Sequence, residues 1–280
     1  MKAFKLFIFL FAFVHPVMAQ SAYKPGIPII LRTGSNRILV LDTAFYMPQL
    51  YRKREIRVYL PPGYNQVKKR FPVIYLQDGE RVEDSIGSKP LYMLSRMDSL
   101  YAAGKSQCII VGIFSSPEYR QREYNPFDNG EGVKYINFLT NTLKPFIDKS
   151  FKTLPGKDHS IIAGINQGAT IALYATLSRP NIFGKAGIFS PDLSSIDSLK
   201  SVVLNLSPAF DNKLFFYSTV NVDQTKFEDL TDIIGQKSSA MIYKMMENIS
   251  DEKGNALARW FPEFTLWMNA DGYNYVFKPW

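Results

Sequence analysis

The sequence predicts an α/β protein with a mostly parallel central sheet, helices on both faces and an antiparallel N-terminal edge. Three observations predict it. Short, nearly continuous apolar runs recur from residue 71 onward, helical stretches separate them, and two earlier segments alternate between apolar and polar residues. Continuous runs suit strands buried on both faces of a parallel sheet, whereas alternation suits a strand with one face toward water.

The elements follow in order. Lys2 and Lys5 precede the apolar run from Leu6 to Val14, and Pro16 and Val17-Met18-Ala19 close it. This is the pattern of a signal peptide cut after Ala19. The run falls well short of the roughly 20 residues that span a bilayer, so no transmembrane anchor is expected. Residues 20–280 then read as a single domain, secreted or periplasmic. Residues 20–36 are a Gly-, Pro- and Ser-containing lead-in. Residues 37–43 and 54–60 read as an antiparallel strand pair, the second stopping at Pro61-Pro62-Gly63. The parallel strands are expected at 72–76, 108–113, 160–164, 185–189 and 214–217, and the helices at 92–103, 133–148, 167–177, 227–249 and 256–268. Alternating aromatics in 273–280 suggest a further edge strand.

Composition narrows the function. A hydrophobic content of 46% with 14% aromatic residues is that of a chain with a substantial core rather than a disordered one. The formal charge of +8 is partly concentrated in Arg52-Lys53-Arg54 and Lys68-Lys69-Arg70, which read as solvated hairpin and loop surface. No nucleic-acid motif accompanies them, so nucleic acid is not an expected partner. Cys108 is the single cysteine, which excludes a disulfide framework, and its apolar strand makes it an inert buried thiol. No His, Cys and carboxylate cluster has metal-ligand spacing, so neither metal nor cofactor is expected.

The most informative stretch is Ile161-Ile162-Ala163-Gly164-Ile165-Asn166-Gln167-Gly168-Ala169-Thr170. A buried strand runs into a helix through Gly-x-Asn-x-Gly. This is the layout of a nucleophile elbow, in which flanking glycines permit a tight turn that presents one side chain above the sheet.

In this region and several others the chain resembles the esterase family of α/β-hydrolases, the enterochelin-esterase-like and feruloyl-esterase-like group. The matching segments are Arg57-Val58-Tyr59-Leu60-Pro61-Pro62-Gly63-Tyr64, Pro72-Val73-Ile74-Tyr75-Leu76-Gln77-Asp78-Gly79, Leu143-Lys144-Pro145-Phe146-Ile147-Asp148 and Phe183-Gly184-Lys185-Ala186-Gly187-Ile188-Phe189-Ser190-Pro191. The resemblance implies the α/β-hydrolase fold and a serine, histidine and acid at set places. Asn166 stands at the serine's place, Asn255 at the histidine's, and Asp223 is the nearest candidate for the acid. An amide has no hydroxyl for a base to activate.

Composition supports this independently. The chain holds two histidines, His15 in the leader and His159 at the start of the strand that ends at Asn166. Seven strand residues separate His159 from the elbow by roughly 23 Å. Sites in such sheets lie at the carboxyl ends of the strands, so His159 is at the wrong end. The cavity itself is expected to persist. The Gln167 N–H and one near Gly79-Glu80 would form an oxyanion-type nest, with Ser190 and Asp192 beside them. Ser190-Pro191-Asp192 also reads as a plain loop and Asp223 as a solvated turn. Tyr119, Tyr124 and Phe127 in the 117–132 loop would either cap a pocket or pack the loop down.

Three readings follow. In the first, the protein is a catalytically degenerate esterase relative that binds a small molecule, such as an ester or carbohydrate-linked ligand, through the former pocket. In the second, it is an active carboxylic-ester hydrolase with a rearranged site, using Ser190 or Ser160 and a carboxylate base. In the third, its outer surface serves an assembly role with a protein partner that the sequence does not identify. Fold alone does not choose among them.

Overall fold

The computed structural model describes residues 31–32, 37–82, 92–206, 210–219, 222–238, 242–247 and 255–269. Strands β1 (Leu31–Arg32), β2 (Ile38–Met47) and β3 (Arg52–Tyr59) pair antiparallel. Strands β4 (Val73–Gln77), β5 (Ile109–Ile113), β6 (Ser160–Asn166), β7 (Lys185–Pro191), β8 (Lys213–Thr219) and β9 (Ile242–Glu247) run parallel to one another. Among the described residues the sheet order is β1-β2-β3-β5-β4-β6-β7-β8-β9, and β3 joins the parallel part by pairing antiparallel with β5. The helices are α1 (Tyr92–Ala102), α2 (Arg120–Glu123), α3 (Gly132–Phe138), α4 (Lys144–Ser150), α5 (Gln167–Ser178), α6 (Ile196–Leu204), α7 (Gln224–Lys237) and α8 (Asn255–Asn269). A π-helical turn over Leu139–Leu143 joins α3 to α4.

Two cores explain the unbroken apolar runs. Val73 and Tyr75 of β4, Ile109 and Val111 of β5 and Ile188 of β7 face one core, which α3 to α7 cover. Their neighbours Ile74, Leu76, Ile110 and Phe189 face the other, covered by Met93 and Met97 of α1 and Phe261 and Phe264 of α8. With helices on both faces, neither side of a central strand meets water, and the alternation disappears. The architecture is that of an α/β-hydrolase.

Four expectations need correction. The helix expected at 227–249 ends at Lys237, and Ile242–Glu247 is instead strand β9 beside β8. Ile242, Met245 and Met246 do fit helical spacing. The unpaired edge of β8, however, offers a ladder of backbone partners that a helix would leave open. Helix α6 was not foreseen, although Ile196, Leu199 and Val203 form its buried stripe. Leu31–Arg32, within the expected lead-in, pairs with Val40 and Leu39. Finally, Arg52 to Arg54 is not solvated throughout. Arg54 shares the buried face of β3 with Ile56 and Val58 and is itself buried, because the Glu123 carboxylate meets its Nη2 at 2.5 Å. The expected leader at 1–19 and the edge strand at 273–280 lie outside the described residues.

Candidate functional site at the β6 elbow

The elbow forms where it was expected. β6 ends at Asn166 with φ 54° and ψ −125°, and α5 begins at the next residue. Glycine is required on both sides because strand and helix nearly touch. A Cβ on Gly164 would lie 2.3 Å from the Gly168 carbonyl oxygen. One on Gly168 would lie 2.9 Å from Asp78 Oδ2. The Asn166 side chain is exposed at the tip of this turn.

Neighbouring strands end in the same way. Asp78 follows β4 with φ 53°, and Ser190 near the end of β7 has φ 42°. β4, β6 and β7 are adjacent in the sheet, so three successive carboxyl ends each carry a non-glycine residue in left-handed backbone. Such residues cost on the order of 1–3 kcal/mol each and persist where surrounding structure holds them, typically at functional sites. The holding groups are visible. The Asn166 carbonyl accepts the Asp192 N–H at 3.2 Å, and Thr170 Oγ1 donates to the Asp192 carbonyl at 2.7 Å.

Charge is concentrated on the other side of the elbow. The Asp78 carboxylate is almost fully buried, and Arg120 donates to it from Nε at 2.7 Å and Nη2 at 2.8 Å. Nη1 of the same guanidinium donates to Gln167 Oε1 at 2.7 Å. The hydrogen bond from Arg120 to Asp78 raises the guanidinium's pKa further, against the opposing effect of burial. The Asp78 N–H donates to Tyr124 Oη at 3.2 Å, and burial drives that phenol's pKa well up. One layer below, Tyr135 Oη donates to Gln77 Oε1 at 2.5 Å. Arg52 and Arg54 share the buried Glu123.

A small cleft of about 90 Å³ opens beside the elbow. It is lined by Gln121, Tyr124, Asn125, Pro126 and Phe127 of the loop around α2, Gln167 and Thr170 of α5, and Asp192, Ser194 and Ser195 after β7. Its lining is mainly amides and hydroxyls, with one carboxylate and aromatic edges, suited to a neutral polar group with an apolar face. The loop aromatics both pack and line. Tyr124 is buried, Phe127 sits edge-on to Tyr174 with ring centres 5.4 Å apart, and Tyr119 lies under the Arg52 guanidinium.

The expected site residues divide into two groups. Asn166, Gln167, Ser190 and Asp192 gather around the elbow, with Ser190 Oγ 3.5 Å from Thr219 Oγ1. Gly79 starts a 3-10 turn and its missing Cβ makes room for the Gly112 backbone. Glu80 is turned away toward β5, where its carboxylate accepts both the N–H of Ser115, at 3.0 Å, and the Ser115 hydroxyl. Asp223 caps α7, accepting the Lys226 N–H at 3.1 Å, and makes no contact with Asn166 among the described residues. Asn255 is the first residue of α8. His159 lies in the turn before β6, at the end of the sheet away from the elbow. Among the described residues no group of His, Cys, Asp and Glu could hold a metal, and no helix is long and apolar enough to cross a membrane. Sequence reasoning missed Asp78, Arg120, Gln121, Glu123 and Asn125. The signal for Arg120 and Glu123 was the density of charge in Tyr119–Tyr124, in the loop after buried β5, whereas Asp78 directly follows β4.

A strand-to-helix elbow at the carboxyl end of a mostly parallel sheet, with helices on both faces, defines an esterase-type α/β-hydrolase fold. The chain belongs to the Putative esterase family, whose model matches residues 48–252. It is 26% identical over 149 residues to the uncharacterized protein YbbA of Bacillus subtilis, a match spanning 49% of this chain and 56% of that protein. It is 29% identical over 165 residues to an endo-1,4-beta-xylanase/feruloyl esterase of Xylanibacter ruminicola, spanning 57% of this chain and 22% of that one. The chain thus spans about half, or less, of these relatives' length. An IroE-like serine hydrolase from Shewanella oneidensis has the same fold, with a TM-score of 0.59 at 21% identity over 78% of this chain and 76% of that one.

Proposed function

We propose that this protein is a non-hydrolytic member of its family that binds a small ligand, ester-bearing or carbohydrate-linked, at the elbow cleft, outside the cytoplasm. One observation carries the reading: an exposed asparagine occupies the elbow tip in a chain whose histidines are His15 and His159. Acyl transfer needs a nucleophile and a base within hydrogen-bond reach of it. An asparagine side chain supplies neither, but it donates and accepts hydrogen bonds at once. The retained left-handed backbone at Asp78, Asn166 and Ser190 supports a site that is still held in shape.

The second reading, a rearranged hydrolase, has a specific observation in its favour. Ser115 and Glu80 form a serine–carboxylate contact. Against it, the same carboxylate also accepts the Ser115 N–H, which makes the pair a staple between the ends of β4 and β5. The deciding experiment is hydrolysis of short-chain aryl and feruloyl esters, with Asn166→Ala and Ser115→Ala beside the parent. The binding reading expects no turnover above buffer from any of the three, with ligand binding weakened in Asn166→Ala. Turnover lost in Ser115→Ala establishes the rearranged enzyme, and turnover lost in Asn166→Ala overturns the non-catalytic role of the elbow.

A further inference from the structure

The amino ends of the parallel strands lie level. Val73 pairs with Ile109 and Ser160, Ile161 pairs with Lys185, and Lys185 pairs with Lys213. Every segment leading into these strands therefore emerges at one end of the molecule, opposite the elbow. Those segments are rich in cations: Lys68, Lys69 and Arg70 before β4, Lys105 before β5, and Lys149, Lys152 and Lys157 before β6. The acids beside them are few and partly engaged. Among the described residues Lys144 and Thr153 hold Asp148, Lys157 holds Asp211 and Arg37 holds Asp98, leaving Asp158.

The centre of this face is built rather than incidental. Lys152 Nζ donates to the carbonyls of Tyr64 at 3.0 Å and Val67 at 2.7 Å, and Arg70 Nη1 donates to the Thr153 carbonyl at 3.1 Å. The Phe71 N–H donates to the Lys152 carbonyl and the Leu154 N–H to that of Phe71, both at 2.8 Å. Two cation-bearing segments are thereby fastened side by side. Lys68, Lys69, Arg70 and Lys149 are exposed and form no ion pair with an acid among the described residues. At the elbow end most arginines are paired instead, Arg52, Arg54 and Arg122 with Glu123 and Glu131 and Arg120 with Asp78, while Arg81 forms no ion pair among the described residues.

We propose that this basic end docks on an anionic lipid surface, with the elbow cleft facing the solution. Lysine predominates in the cluster, and its ammonium is a compact, hydrated point charge suited to a diffuse array of headgroups. Tyr64 and Phe71 pack inward beneath the cations, so among the described residues of this face neither ring offers a stacking platform for a nucleic-acid base. Level loop ends match a plane, and charges near an anionic leaflet add their attractions while salt screens them.

The test is co-sedimentation of the purified protein with phosphatidylcholine vesicles, with and without phosphatidylglycerol. Binding is expected only to the anionic vesicles and is released by added salt. Lys68→Glu/Lys69→Glu lowers partitioning by about tenfold or more. Lys53→Glu/Lys134→Glu, an equal charge change at exposed positions of the elbow end, retains it. If the first pair unfolds the protein, Lys68→Gln/Lys69→Gln serves and gives a smaller loss in the same direction. Absence of binding to anionic vesicles, equal losses from the two charge-reversed pairs, or tighter binding to a DNA duplex than to the vesicles would each overturn the proposal.

Discussion

Arg120 grips Asp78 through two parallel hydrogen bonds of 2.7 and 2.8 Å, and its third nitrogen reaches Gln167, so one guanidinium ties the end of β4 to the residue following the elbow tip. Arg120→Ala leaves the Asp78 carboxylate buried and unpaired. A loss of about 3 kcal/mol is expected, measurable as a lowered urea midpoint. Arg120→Lys recovers only part of it, since an ammonium cannot form the bidentate pair and reach Gln167 together.

The approach of α5 to β6 makes a second prediction. In Gly164→Ala the new methyl meets backbone atoms of Gly168, which can yield only if the helix moves. A cost of about 3 kcal/mol is expected. Gly168→Ala meets the Asp78 carboxylate and Gln77 Cβ rather than backbone; because Arg120 holds that carboxylate the cost is about 2 kcal/mol, still below that of Gly164→Ala. Thermal unfolding of the two variants gives the order directly.

The elbow tip separates strain from function. Asn166→Gly relieves a positive φ at an exposed position, so its melting temperature should match or exceed that of the parent. Its ligand affinity should fall, because an exposed amide next to the cleft, adjacent in sequence to Gln167 of its lining, is gone. Asn166→Ser restores a hydroxyl without a base, and ester hydrolysis should stay at the buffer rate. Turnover is expected only when Asn255→His is added, the position at which the family resemblance places the base.

Acid should weaken one specific link. The Arg52 guanidinium, whose Nη1 lies 2.6 Å from Oε2, holds the Glu131 carboxyl below its ordinary value, aided by the charge of Arg122 and opposed by partial desolvation. A depressed folded value means that the stabilisation is complete above the unfolded value near 4.5 and is lost as pH falls through the lower folded one. Glu131→Gln should therefore be less stable than the parent at neutral pH. Urea midpoints of the two proteins should converge as the pH is lowered toward about 3.

Much of the fold was legible because burial leaves a local trace. The runs ending at Leu76, Ile113 and Phe189 were recognisable as strands since both faces of each meet helices. The segment 242–247 was not, because Ile242, Met245 and Met246 satisfy a helical period while the edge of β8 rewards an extended one. At the site, Asn166 and Gln167 were found from the glycines around them, and Asp192 from its nearness to Ser190. Asp78, Arg120 and Glu123 were missed. Nothing within a few residues of any of them reports its partner, which lies 42 residues away for Asp78 and 69 for Arg54 with Glu123.

The sequence by itself determined where most of the central strands and the elbow lie and that an asparagine stands at the elbow tip. It also determined that His159, one of the two histidines, precedes β6 instead of following it. Those features depend on composition and on periodicities of a few residues. The tertiary structure alone decided that Glu80 turns to Ser115, that Arg120 joins Asp78 to Gln167, and that three adjacent strand ends share left-handed backbone. Those are contacts between segments far apart in the chain. Their energies exist only once the sheet has brought the segments together, so no local pattern encodes them.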